Sequence, residues 1–488
     1  MPRIILLGTC DTKLEELLYT RERILAHKDT TVTLIDVGRE SISNNAITVP
    51  SNELTAKYAP DGAPTDISAL DRGQLNKHMA ACATNYIREL LERQQGDSAT
   101  TTESVTAVLG LGGSGGTSLA AAVMREAFPM GFPKLIVSTI ASGETGPIVG
   151  ETDITLMYSI VDIAGLNTIL RTVLSNAAGA IVGMAHAYLK TLEDRAAGKN
   201  NDPNSNDKKI PIRLGITMFG VTTPAVTAIR QYLSQLSAAP PSACPYTFPD
   251  THVFHATGHG GLAYERLVRA GALDAAIDLT TTELADHLIA GTNMSAGPTR
   301  LSAAATGAPS AATATAAPNH QHGDNNGSGG GSGGGSSGAA SGTTTTIPHI
   351  VSLGATDMAN FGPRATAVPD AYVRAGRTLY EHNPSVTLMR TSAAECAQIG
   401  EHIAAQLRRA KDPRKIQVWV PRGGVSLMSV AGGPFEDREA DEALFKAVRE
   451  GLEGSGVRVV EDERAINDEG FARAVVDALV GLLGVKKE

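Results

Sequence analysis

Residues Val105 to Glu126, VTAVLGLGGSGGTSLAAAVMRE, constrain the fold most. The apolar run Val105 to Leu109 reads as a buried strand, and Gly110 to Gly116 as a glycine-dense loop. Thr117 then opens an alanine-rich helix that runs to about Glu126. Strand, tight turn and helix in that order form the repeating unit of a parallel sheet covered by helices. Glycine permits left-handed backbone angles and close approach of a ligand. The first amides of a helix lack intrahelical acceptors and sit at its positive end, so a phosphate or carboxylate is the natural occupant. Gly110, Gly112, Gly113, Ser114, Gly115, Gly116 and Thr117 are therefore the first cofactor-binding candidates.

Three known motifs overlap in this loop. Gly110-x-Gly112-x-x-Gly115 fits the dinucleotide fingerprint, which also requires an acid roughly 20 residues on, at the end of the next strand. That strand, Lys134 to Val137, runs into Ser138 and Thr139 and offers no carboxylate. Gly110-x4-Gly115-Gly116-Thr117 copies the phosphate-loop spacing, with Gly116 where lysine belongs. Gly112-x-Ser114-x-Gly116 fits the nucleophile elbow of hydrolases, with Asp250 and His255 or His259 following in triad order. An elbow must hold its serine under strain, and five glycines in seven residues hold it loosely. An amide cradle is the reading these residues favour over a mere turn.

Strand and helix patterns alternate on both sides of this unit. Arg3 to Leu7 is a short apolar strand, Leu14 to Ala26 carries one apolar helical face, and Thr31 to Val37 is β-branched. Asp36 closes that second strand where a ribose-binding acid would stand, but the preceding loop, GTCDTK, is not glycine-rich. Leu75 to Glu92 reads as a helix. After Lys134 to Val137 comes a second polar loop, STIASGETGPIVGETD, whose Ser142, Gly143, Glu144, Thr145 and Gly146 should border the first. Leu166 to Arg195 reads as a long, mainly buried helix. Its Gly179-x-x-x-Gly183 pair is expected to pack closely inside the fold, and its Ser175, Asn176 and His186 argue against a membrane span.

The polar stretch Ala197 to Lys209 divides the chain into residues 1–196, a linker 197–209, and residues 210–488. The second half repeats the pattern: strands at Arg213–Phe219, Thr251–Ala256, Ala275–Leu279, Pro348–Leu353, Ser385–Met389, Ile416–Val420 and Val457–Val460, with helices between. Thr222 or Thr223 should cap one helix, and Thr391 or Ser392, with Glu395 in the first turn, another. Residues from about 302 to 346, rich in alanine, threonine, glycine and serine, read as a disordered low-complexity insertion. The expected fold is α/β, with two Rossmann-like doubly wound subdomains, mainly parallel sheets and an interdomain cleft.

Composition enters through exclusion. A net charge of −9 argues against nucleic acid or an anionic membrane as the main partner. The four cysteines, Cys10, Cys82, Cys244 and Cys396, lie far apart, which suits neither a zinc site nor a disulfide framework and fits a reducing cytoplasm. MPRIILLGTC has too short an apolar run for a signal peptide.

Seven ordered motifs resemble one family: LGTCDTK, GLGGSGGTS, STIASGETGPIVGETDI, HATGHGG, SLGATDMANFGPR, RTSAAECAQIG and VPRGGVS. It is an uncharacterised family of bacteria, fungi and plants that includes the N-terminal ATP-binding domain of a plant tobamovirus-resistance protein. In plant members a C-terminal barrel domain follows. The resemblance implies two Rossmann-like subdomains, bound ATP with or without Mg2+, and a homodimer. It leaves open whether a reaction is catalysed, so three functions stand: an ATP-binding protein or ATP-dependent enzyme acting on a small anionic metabolite, a non-catalytic regulator of a protein partner, and a hydrolase or lyase without nucleotide.

In a doubly wound sheet, ligands lie beyond the carboxyl ends of the strands. Further cofactor candidates from such loops are Gly258, Gly260 and Gly261 of TGHGG and Arg422, Gly423 and Gly424 of PRGG. Lys13, Arg364, Arg390 and Arg422 are the loop cations available to a phosphate. His255, His259 and Asp357 are weak catalytic candidates, and Asp357 and Glu395 could hold magnesium. The two histidines straddle a strand end, so their spacing does not make a helical metal pair, and no metal site is expected.

Overall fold

The computed structural model describes residues 1–96, 104–196, 209–309 and 344–484. The chain divides into two compact units, Met1–Ser205 and Asn206–Glu488. Apart from Lys209, the expected linker lies outside the described residues.

The first unit holds strands β1 (Pro2–Gly8), β2 (Thr31–Asp36), β3 (Ser104–Gly112), β4 (Lys134–Ser138) and β5 (Thr155–Tyr158). They form a parallel sheet in the order β2-β1-β3-β4-β5. Its helices are α1 (Cys10–Leu25), α2 (Ser51–Tyr58), α3 (Arg72–Gly96), α4 (Ser114–Ala127), α5 (Gly146–Val149) and α6 (Thr168–Ala196). Continuous apolar runs such as IILL are buried on both faces, as a helix-covered parallel sheet requires. Ile4, Leu6 and Leu109 point into a core shared with Leu17 of α1 and Leu174 and Ile181 of α6. Ile5, Leu7 and Val108 point the other way, against Met79 of α3 and Leu119 and Val123 of α4. Each such side chain contributes about 1.5–3 kcal/mol on burial.

The buried stripe of α6 is Leu170, Leu174, Ala177, Ala178, Ile181, Val182 and Ala185. Gly179 and Gly183 fall outside it, and a Cβ at either would meet nothing within 4 Å. The expected close packing at this pair is therefore absent from the described residues, because the apolar stripe turns the glycines away from the sheet. Among the described residues, Thr168–Asp194 is the one segment long and apolar enough, by length and composition, to cross a membrane.

The second unit contains β6 (Ile210–Met218), α7 (Thr223–Ala238), β7 (Tyr246–His255), α8 (Gly258–Arg269), β8 (Ala275–Thr280), β9 (His349–Gly354), β10 (Met358–Phe361), β11 (Leu379–Asn383) and β12 (Val386–Arg390). It ends with α9 (Ala393–Leu407), β13 (Ile416–Pro421), α10 (Arg438–Leu452), β14 (Arg458–Asp462) and α11 (Glu469–Leu483). Six strands form a parallel sheet in the order β7-β6-β8-β9-β13-β14. The expected α/β class with two largely parallel sheets is what the fold contains.

Two expectations need correction. Ser385–Met389 was expected to continue the parallel alternation, whereas Val386–Arg390 pairs antiparallel with both β10 and β11 in a separate three-stranded sheet. β10 has four residues and β11 is the polar LYEHN, so neither carries an apolar strand signal. The low-complexity boundary at 302 is also too early. Ser302–Thr306 is a short helix whose Ala303, Ala304 and Ala305 are buried, and Thr346 is buried as well. Alanine's small side chain is what lets that helix pack under α8 and α9. Residues 310–343 lie outside the described residues.

Candidate functional site

In the first sheet β1 and β3 are neighbours, and the helices that follow them cover opposite faces. This is the topological switch point of a doubly wound sheet, where a crevice opens beyond the strand ends. Leu7 lies beside Gly110, Gly8 beside Asp36, and Gly112 beside Ser138, so the GTCDTK, GLGGSGG and ASGETG loops leave one edge.

The glycine turn is built from its neighbours' needs. A Cβ at Gly112 would stand 2.6 Å from the Gly116 carbonyl carbon and the Thr117 nitrogen, so a side chain there would block the turn. At Gly110 it would stand 2.8 Å from the Ala120 Cβ, and the bare backbone lets α4 lie close on β3. Gly113 is the N-cap residue, extended at φ −73° and ψ −163°, and no side chain caps the helix. The amides of Ser114, Gly115 and Gly116 are thus first-turn donors without intrahelical acceptors. Ser114 is exposed, and Gly113, Gly115 and Gly116 are half-buried. Thr117 anchors the turn: its hydroxyl donates to Gly112 O at 3.1 Å and lies 2.8 Å from the Ser138 hydroxyl.

A cation that sequence reasoning missed stands beside this turn. Arg72 opens α3, and its guanidinium lies 3.4 Å from where a Gly115 Cβ would be. Asn76, one turn on, donates to Gly115 O at 3.4 Å. Arg72 is exposed and has no hydrogen-bond or ion-pair partner among the described residues. Its 43-residue separation from Gly115 left no local signal to find it. The four cations expected from sequence are committed elsewhere. Lys13 donates to Ile163 O at 2.5 Å, Arg364 pairs with Glu381 at 3.0 Å, and Arg390 pairs with Asp441 at 2.6 Å. Arg422 meets Glu461 at 2.7 Å, Glu442 at 3.3 Å and Glu463 at 3.4 Å.

The loop after β1 has the opposite character. A concavity of about 330 Å³ there is lined by Asp11, Glu15 and Glu16, with Cys10 and Thr12. Asp36 is fully buried and accepts from the Cys10 and Gly38 amides at 2.9 Å each, joining two loops. Burial holds its carboxyl above the usual range. This side is acidic, whereas the α4 side presents first-turn amides and the Arg72 guanidinium. Across the rim, Ser142, Gly143 and Glu144 are exposed, and Thr145 is the N-cap of α5 with Gly146 its first residue. Thr139, at the head of that loop, donates its amide to Gly112 O at 3.3 Å.

In the second unit TGHGG is the first turn of α8 rather than a loop ahead of it. Gly258 has φ +29°, and a Cβ there would strike Asn293 O; at Gly260 it would strike His255 O, and at Gly261 the Glu283 carboxylate. Protein atoms fill the space these three glycines open. His255 is exposed, with Nδ1 3.0 Å from the Thr257 hydroxyl, and partial desolvation lowers its basicity. His259 is exposed on the helix. Gly423 and Gly424 make a tight turn: a Cβ on the first would stand 2.5 Å from the Ala465 nitrogen, and the second has φ +134°. With Arg422, Ser429, Arg438, Asp441 and Glu442, Gly423 borders a concavity of about 240 Å³. Asp357 is sealed behind this region, accepting from the Ser426 hydroxyl at 2.7 Å. Burial pushes its carboxyl up to about 6 against the pull of Arg390. Glu395 pairs with Arg377 at 2.5 Å. Among the described residues no group of three or more His, Cys, Asp or Glu is arranged to hold a metal.

Two doubly wound α/β units, the first with an uncapped glycine turn at its switch point, define the class of protein. The chain belongs to the uncharacterised protein family UPF0261: the family's N-terminal domain matches residues 2–190, and its C-terminal domain residues 211–317 and 327–483. A family member from Clostridium tetani is 35% identical over 483 residues, covering 99% of each chain. One from Mesorhizobium japonicum is 37% identical over 476 residues, 97% of this chain and 98% of its own. The tomato ToMV resistance protein Tm-1(GCR237) is 31% identical over 495 residues, spanning 98% of this chain and 55% of the tomato protein.

Proposed function

We propose that the first unit binds the phosphates of a nucleotide, ATP, on the amides of Ser114, Gly115 and Gly116, with Arg72 as the counter-charge. The observation that carries this reading is a guanidinium, without a partner among the described residues, beside an uncapped, accessible helix start at a switch point. A phosphate there would accept first-turn amide hydrogen bonds along the helix dipole and a charge-assisted pair from Arg72. Ser142 to Gly146 would border the rest of the molecule, and the acidic β1 loop would keep the phosphates on the α4 side. A companion Mg2+ would take most of its ligands from phosphate and water, which suits a site without a protein metal cage.

A second reading, regulation of a protein partner without turnover, draws support from the tomato relative, whose name ties it to ToMV resistance. The two share the nucleotide and differ in chemistry.

Thermal shift with ATP, with inorganic phosphate as control, tests the site. ATP at one hundred times its Kd should stabilise by about 2.7 kcal/mol. Arg72→Ala should weaken binding by about tenfold or more. No ATP-dependent shift at millimolar nucleotide, or one that Arg72→Ala leaves intact, overturns the assignment. Release of phosphate from bound ATP would favour an enzyme, and retention of intact ATP the regulator.

A further inference from the structure

The interior of the second unit contains an ionic cluster centred on Arg300. Arg300 is fully buried, as are Asp278, Glu283 and, within a few per cent, Glu265. The guanidinium reaches all three: Nη1 lies 3.3 Å from Glu265, Nε lies 3.3 Å from Glu283, and Nη2 pairs with Asp278. The elements that meet here are α8, the end of β8, the start of β9 and the segment before Ser302. One sealed guanidinium faces three carboxyl groups, and an unmatched charge in such a place costs several kcal/mol.

Counting donors separates the three. Glu265 accepts from the Leu301 amide at 2.7 Å, the Ala303 amide at 2.9 Å and Arg269 at 3.0 Å, in addition to Arg300. Asp278 accepts from the Tyr264 hydroxyl at 3.0 Å, lies 2.7 Å from His349 Nε2, and pairs with Arg300. Among the described residues, Glu283 has the long contact from Arg300 Nε alone among side chains, and its Oε2 has no hydrogen-bond partner. Asp286, on the following turn, is a fourth buried carboxyl; burial pushes it up to about 7, but it accepts from the Asn360 amide at 2.6 Å and the Asn360 side chain at 2.8 Å, partners that Glu283 lacks.

We infer that Glu283 is a sealed proton-binding site whose loss of a proton loosens the end of β8. A neutral carboxylic acid removes the unmatched charge in a site whose donors are the long Arg300 contact and the residue's own amide. Burial is the leading cause that raises both Glu283 and Glu265, while Asp278 is held low by Arg300 and His349. Because the proton is held in the folded chain and released from the unfolded one above about 4.5, stability falls as pH rises from there toward the raised folded value. Thr280, Thr281 and Thr282 connect Glu283 directly to β8, and Thr222 contacts Thr280 at 2.7 Å. The same strand edge therefore responds to the proton.

Amide substitution tests this, since glutamine mimics a neutral carboxyl and not an anion. At pH 7, Glu283→Gln should keep Tm within about 3 °C of the parent, whereas Glu265→Gln and Asp278→Asn should each lose roughly 10 °C. Glu283→Gln should also flatten the decline of Tm between pH 5 and 8 and remove a protonated-carboxyl carbonyl band from the infrared spectrum at pH 7. An E283Q chain that fails to fold, or that loses as much Tm as the other two, overturns the inference. An unchanged infrared band does the same.

Discussion

The hydroxyl of Thr117 lies 2.8 Å from that of Ser138, with both groups buried, and this contact pins the first turn of α4 to the end of β4. Thr117 also returns a hydrogen bond to Gly112 O, so one side chain fixes the turn at two points. Thr117→Val keeps the shape and removes both, leaving the Ser138 hydroxyl with the Ile140 amide as its remaining partner. Urea unfolding should show a loss of about 1–3 kcal/mol. On the proposed function, ATP binding should weaken in step, because the first-turn amides lose their fixed orientation. A stability loss without any change in binding would separate the turn from the ligand.

Gly112→Ala tests the turn from its other side. The added methyl would sit 2.6 Å from two backbone atoms of residues 116 and 117, neither of which can rotate away as a flexible side chain could. Overpacking of this kind costs typically 1–3 kcal/mol, and here the backbone itself must move. By contrast, Gly179→Ala meets nothing within 4 Å and lies within a helix, so it should stabilise by about 0.5–1 kcal/mol. Denaturant midpoints of the pair should move in opposite directions.

What the sequence disclosed follows from how local each feature is. The glycine turn was legible because strand, loop and helix are consecutive and because Gly112, Gly113 and Thr117 act within one turn. The doubly wound class was legible from apolar runs like IILL alternating with amphipathic helices. Arg72 and the Arg300 cluster were not, since each depends on partners brought together by packing, across 17 positions for Glu283 and Arg300 and 71 for Asp278 and His349. The close packing of the TGHGG glycines was hidden for a related reason. Their spacing looks like a ligand loop, but Gly261 is small to admit the side chain of Glu283 from another element. The antiparallel sheet was hidden because β11 is exposed and polar and β10 is too short to display a period.

Asp357 gives the second unit a measurable pH dependence apart from Glu283. Its carboxyl is raised from 3.8 to about 6, chiefly by burial, with Arg390 and the Ser426 hydroxyl pulling it back. A carboxyl raised in the folded state keeps its proton there while the unfolded chain releases it. Stability is therefore full below 3.8 and declines as pH rises through about 6. The whole decline is on the order of 3 kcal/mol. Asp357→Asn retains an acceptor for Ser426 and cannot ionise, so its decline across that window should be shallower than the parent's by about that amount. Chemical denaturation at pH 4, 5, 6 and 7 measures the difference, and a parallel decline in both proteins would show that another group is responsible.

Ser392 and Glu395 form a reciprocal cap at the start of α9. The Glu395 amide donates to the Ser392 hydroxyl at 3.4 Å, and the Ser392 amide donates to the Glu395 carboxylate at 2.7 Å. Arg377 reinforces the carboxylate with two further hydrogen bonds, at 2.5 and 2.9 Å, so Glu395 is held below its usual range despite partial burial. Losing the serine hydroxyl removes the longer contact only, and Ser392→Ala should cost about 1 kcal/mol. Losing the carboxylate frees both the Ser392 amide and the Arg377 guanidinium, so Glu395→Ala should cost more, about 2–3 kcal/mol. Because one carboxylate serves both partners, Arg377→Ala combined with Glu395→Ala should cost less than the sum of the two alone. A double-mutant cycle by urea unfolding gives the coupling directly, and additive losses would mean that Arg377 acts through Tyr372 and Arg390 O instead.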